Sequence, residues 1–123
     1  MTARTYTLLY VADPMKSVAF YQKLLDRPPQ DVFPTFASIA LNDNHLLGLW
    51  STAIVVPTPT PPGGSEVALV VGNQAAVDAT YYDWKAKDVS ILQPPTDMVF
   101  GRTFCATDPD GHRIRVFNES DPT

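Results

Sequence analysis

The chain has 123 residues, a formal charge of −4, and 45% apolar and 11% aromatic side chains. That composition argues against disorder, and a chain of this length buries roughly two-thirds of its surface on folding, enough for one domain without disulfide staples. Scattered basic residues exclude a phosphate-backbone partner, and no run approaches the ~20 apolar residues of a membrane span or the h-region of a signal peptide, so a cytoplasmic protein is expected.

Thr5–Val11 (TYTLLYV) is β-branched and aromatic and predicts a strand. Asp13-Pro14 then supplies an N-cap followed by proline in the first turn, and Pro14, Val18, Tyr21 and Leu25 recur at helical spacing. Arg27-Pro28-Pro29 ends that helix, because the residue before a proline avoids the α region. Short strands are expected near Gln30–Phe33, Phe36–Asn42 and His45–Ser51, the last two joined by a turn at Asn42-Asp43-Asn44.

Thr52 to Gly64 holds four of the 12 prolines and two of the six glycines, and predicts an extended connector. Beyond it the same order returns. Ser65–Val71 reads as a strand, Gly72-Asn73 as a cap, and Val77, Tyr81 and Trp84 as a helical stripe ending near Lys87-Asp88. Strands near Ile91–Gln93, Thr103–Thr107 and Arg113–Asn118 follow, the last two joined by the tight turn Asp108-Pro109-Asp110-Gly111. The expected fold class is therefore α+β: two βαβββ modules, about 5–51 and 65–118, with eight strands and two helices in one domain.

The opening TYTLLYVADPMKSVAFYQKLLD and the closing DPDGHRIRVF resemble the first strand–helix pair and the final hairpin of the vicinal-oxygen-chelate superfamily, the group of glyoxalases, bleomycin-resistance proteins and extradiol dioxygenases. The resemblance covers about residues 5 to 118. LGLWS and VFGRTFCATDPDGHRIRV resemble more closely those members that hold no metal and bind a phenazine acid. It implies paired βαβββ modules with cup-shaped sheets, a homodimer, and pockets between modules of different subunits.

Metal-dependent members take His, Glu or Gln ligands from the first and last strand of each module. Carried over, those positions fall on Tyr6, Gly48, Glu66 and Arg115, of which one can ligate, so the resemblance here implies neither metal nor other cofactor. His45 and His112 read as surface turn residues, and Cys105, with no partner cysteine or adjacent base, as a small buried hydrophobe.

A binding site is expected in the cup. By alternation, Glu66 shares a sheet face with Ala68 and Val70, and Arg115 with Arg113 and Phe117; the resemblance turns both charged residues inward. There they form an internal ion pair, or Arg115 receives an anionic group of a ligand. Trp50, beside the open space of Gly48, is the stacking platform, with Trp84 in the core. Phe100, Arg102 and Phe104 of FGRTF are placed at the rim, where Arg102 bonds a carboxylate or caps strand carbonyls; Tyr6, Tyr10 and Phe36 are further lining candidates. The leading expectation is a metal-free protein that sequesters a planar aromatic antibiotic, a phenazine-like acid, without catalysis. The alternatives are a lyase of glyoxalase or dioxygenase type, or a metal-free isomerase with Glu66 as general base, its pKa raised by burial.

Overall fold

The structure, a computed structural model, describes residues 4–119. It has ten elements: β1 (Thr5–Val11), α1 (Pro14–Leu25), β2 (Asp31–Val32), β3 (Phe36–Asn42), β4 (His45–Ser51), β5 (Glu66–Val70), α2 (Gln74–Ala86), β6 (Ser90–Met98), β7 (Gly101–Thr107) and β8 (Arg113–Phe117). The order is βαβββ twice, and the chain divides into two compact units between Pro62 and Gly63.

In the first unit the sheet order is β1-β4-β3-β2, with β1 parallel to β4 and the other pairs antiparallel. Asp13 caps α1, its Oδ1 accepting from the Met15 and Lys16 amides at 3.1 and 3.3 Å, and Pro14 begins the helix. The helix stops at Asp26, which is left-handed (φ 54°) and donates its amide hydrogen to the Gln22 carbonyl. Leu24 takes the core position assigned above to Leu25, which stays half-buried at the helix end. Leu9, Val11, Ala37, Ile39, Leu47 and Leu49 fill the helix-facing side of this sheet. His45 is a strand residue rather than a surface turn residue: both ring nitrogens pair with hydroxyls of β1, Nδ1 with Thr5 and Nε2 with Thr7 at 2.7 Å.

The second unit repeats the plan as β5-β8-β7-β6, with β5 parallel to β8. Asn73 caps α2 by accepting from the Ala76 amide at 2.8 Å. The turn after β7 is held by Asp108, whose Oδ1 accepts from the Asp110 and His112 amides, both at 2.9 Å, while Gly111 supplies the positive φ of 92°. β6 runs for nine residues, well beyond the three expected. Its Pro94-Pro95 pair lacks two amide donors, and register shifts on each side of Gln93 absorb it at the sheet's edge, where a missing donor costs least.

Candidate functional site

Each sheet has one face against its helix and one face that its own unit leaves uncovered. Strand alternation assigns the side chains, because residues paired across neighbouring strands point the same way. In the first unit, Tyr10 pairs with Trp50, Leu8 with Gly48 and Tyr6 with Leu46. Phe36 pairs with Trp50 from the other side. The uncovered face therefore gathers Tyr6, Leu8, Tyr10, Phe36 and Trp50 around Gly48. Tyr6 and Leu8 are exposed at 44% and 47%, and the Tyr10 and Trp50 rings meet edge to face at 6.5 Å. The open space expected beside Gly48 is filled: a Cβ there would stand 2.7 Å from a Leu8 methyl and 3.1 Å from the Phe36 ring. Leu8 and Phe36 lean over the position that has no side chain, which flattens the middle of an aromatic patch.

In the second unit the uncovered face carries a charged centre. Arg115 clasps Glu66 with two parallel bonds, Nε to Oε1 at 2.8 Å and Nη2 to Oε2 at 3.0 Å. Its Nη1 donates to Gln93 Oε1 at 2.9 Å and to Thr103 Oγ1 at 3.3 Å. The buried Cys105 donates weakly from Sγ to Glu66 Oε2 at 3.8 Å, and burial pushes its thiol up, away from the nucleophilic thiolate. Phe100 folds from the β6–β7 turn onto Phe117, ring edge to ring face at 5.5 Å.

Two members of FGRTF lie elsewhere. Thr103 and Cys105 pair with Phe117 and Arg115 on the uncovered face, so Arg102 and Phe104 point to the helix. Phe104 is fully buried between Tyr81 and Trp84 of α2, at ring separations of 5.5 and 5.3 Å. Arg102 is held by Asp78 of α2 at 2.8 Å and by Asp97 of β6 at 2.9 Å. Neither belongs to the rim that the sequence suggested. Gln93 and Thr103, which fix Arg115, were not anticipated, being remote from it in the chain.

The Arg115 clasp also decides what Glu66 can do. Its two hydrogen bonds hold the Glu66 carboxyl below its ordinary value, outweighing the burial that pushes the other way. The expectation of a raised pKa is thus reversed, and a depressed carboxylate is a poor general base at neutral pH. A group with a lowered folded pKa stabilises the fold above its unfolded pKa, near 4.5, and that contribution is lost as pH falls through the folded value. Glu66→Gln should cost about 1–2 kcal/mol at pH 7, and the gap between the two proteins should close below pH 4.5 in denaturant titrations. A gap that stays the same throughout the acid limb would mean that the ionised carboxylate adds nothing to it.

The family model for the glyoxalase/bleomycin resistance protein/dioxygenase superfamily matches residues 4–116. The chain belongs to that superfamily. Within reach of it by sequence is the phenazine antibiotic resistance protein EhpR of Enterobacter agglomerans, 31% identical over 112 residues, 89% of this chain and 86% of that one. A protein of Agrobacterium tumefaciens solved by NMR is 44% identical, with a TM-score of 0.86 over 98% of this chain and all of that one. A superfamily member from Nocardioides, 21% identical, shares the fold with a TM-score of 0.81 over all of this chain and 86% of that one.

The superfamily's divalent metal does not fit these residues. Of the four positions, Tyr6 offers a phenol, Gly48 no side chain and Arg115 a fixed cation, while both oxygens of Glu66 are already held by Arg115. Among the described residues no three of His, Cys, Asp and Glu gather as a metal would require.

Proposed function

We propose that this protein binds a planar aromatic antibiotic of the phenazine-acid type and confers resistance by holding it out of circulation. The aromatic face around Gly48 carries the reading. It offers ring edges and faces for stacking, and two large apolar side chains, Tyr6 and Leu8, already open to solvent. The kinship with a phenazine antibiotic resistance protein supports the ligand class. No metal, cofactor or catalytic residue takes part. Glu66 is committed to Arg115 and Cys105 is buried, so neither serves as base or nucleophile. The same reading takes the protein as a cytoplasmic homodimer, with no nucleic-acid or membrane partner. No helix among the described residues is long and apolar enough to cross a bilayer.

The test is a titration with phenazine-1-carboxylic acid followed by tryptophan fluorescence, with chromatography of the ligand afterwards. Saturable quenching with the compound recovered unchanged supports capture. Conversion of the compound on a catalytic timescale would replace capture by the enzyme reading. Absence of any saturable change up to the solubility limit would remove phenazines from the account.

A further inference from the structure

We infer that Asp31 is the polar contact of the aromatic face, taking a hydrogen from an amino or hydroxyl group on the rim of the bound ring. The inference rests on the binding function proposed above and narrows its ligand. The acid group turns away from β2, and a hydrogen-bond donor turns toward it. Asp31 and the residues around it all belong to the first unit.

Strand register puts Asp31 on this face. It pairs with Ser38, Ser38 pairs with Gly48, and Gly48 pairs with Leu8, so the four form one row across the uncovered side of the sheet. The next row along holds Tyr10, Trp50 and Phe36, and the Phe36 ring leans over the Gly48 position. Neighbouring strands lie about 4.8 Å apart, so β2 stands roughly 10 Å across the sheet from β4, within the span of a tricyclic ring stacked on Trp50.

Ser38 is fully buried, and its hydroxyl donates to Asp31 Oδ2 at 3.0 Å. The Asp31 carboxyl is half-buried, and among the described residues it has no other hydrogen bond and no cationic partner. Stapling β2 to β3 does not require the charge. The Gln30 amide already donates to the Ser38 carbonyl at 2.8 Å and the Phe33 amide to the Phe36 carbonyl at 2.9 Å. A neutral asparagine would accept from Ser38 as well.

A carboxylate accepts hydrogens and donates none, so Ser38 orients one oxygen and leaves Oδ1 for water or a ligand. A ring laid across the face removes that water, and an acceptor left dry is costly. An N–H or O–H on the ring replaces the water with a charge-assisted bond. A methyl in the same place leaves the oxygen dry, and a second carboxylate sets like charges together.

Calorimetric titration with 1- and 2-aminophenazine and with the matching methylphenazines, near-isosteres without a donor, tests this on wild type, Asp31→Asn and Asp31→Ala. Phenazine-1-carboxylic acid is the reference probe. Asp31→Asn keeps the acceptor for Ser38 and should fold. Wild type should bind at least one aminophenazine roughly tenfold more tightly than its methyl counterpart, the size of one charge-assisted contact near water. Asp31→Asn should cut that preference to about threefold and Asp31→Ala should erase it, with methylphenazine affinity within about twofold of wild type. A purely structural staple would change both members of a pair alike. No amino preference in wild type, or one unchanged in Asp31→Asn, overturns the role of Asp31, while binding of the reference acid leaves the binding function standing. If no probe binds wild type, the binding function falls and the inference falls with it.

Discussion

Phe104→Ala should lower the unfolding free energy by about 3–5 kcal/mol, the range for truncating a fully buried aromatic. Phe104 has no exposed surface, and its ring sits edge to face against both Tyr81 and Trp84, which are held one helical turn apart on α2. Alanine would leave a cavity that the packed sheet and helix cannot close. A domain of this size has only about 5–15 kcal/mol in hand, so the variant should unfold far earlier in urea. Phe100→Ala, four residues earlier in the turn that leads into β7, should differ sharply: Phe100 is 42% exposed and touches Phe117 at the surface. Equal stability losses in the two variants would contradict the placement of FGRTF across both faces of β7.

Trp50→Ala should weaken binding of a phenazine carboxylate by about 10–100-fold, since stacking of a flat heterocycle on an aromatic ring is worth roughly 1–3 kcal/mol. Trp50 is half-buried and buttressed by Tyr10, with Phe36 as its cross-strand neighbour. That arrangement fixes the indole before the ligand arrives, so little ordering cost is added on binding. Stability should fall much less than for Phe104, because the indole lies on the uncovered face. Calorimetry against the folded variant reads the affinity directly. An affinity within twofold of wild type would remove Trp50 from the site.

Most of the architecture could be read from local signals. Asp13-Pro14 and Asn73 mark the two helix starts because caps act within three residues, and β3 and β4 follow from alternation on either side of a polar turn. The duplicated order pointed to two sheets of four strands, and both form. The strand expected near Ile91–Gln93 stops short of Pro94-Pro95, and the bulges that carry β6 past these prolines depend on the neighbouring strand.

The site was less legible, for reasons of parity. Counting back through the Asp108–His112 turn pairs Thr107 with Arg113 and Cys105 with Arg115, which sends Arg102 and Phe104 to the opposite face. A distinctive string of residues drew attention to FGRTF as one patch, although a strand always divides such a string between two faces. The Glu66–Arg115 pair was accessible from alternation within β5 and β8 once both faced the same way. Its further partners Gln93 and Thr103 come from other strands and required the register. The space at Gly48 depended on how Leu8 and Phe36 lean, which spacing does not encode.

The proposed ligand, lying on the sheet face of Trp50 and not among the helix-packed core, makes opposite demands on the two tryptophans. The two tryptophans provide the most direct measurement: ¹⁵N-labelled protein titrated with phenazine-1-carboxylic acid, following the two indole N–H signals and the backbone amides. Trp50 should shift saturably together with Leu8, Tyr10 and Gly48, while Trp84, 2% exposed behind Phe104, stays in place. Saturable shifts at Trp84 and Phe104 with Trp50 unmoved would place the ligand in the core and rule out the Trp50 face.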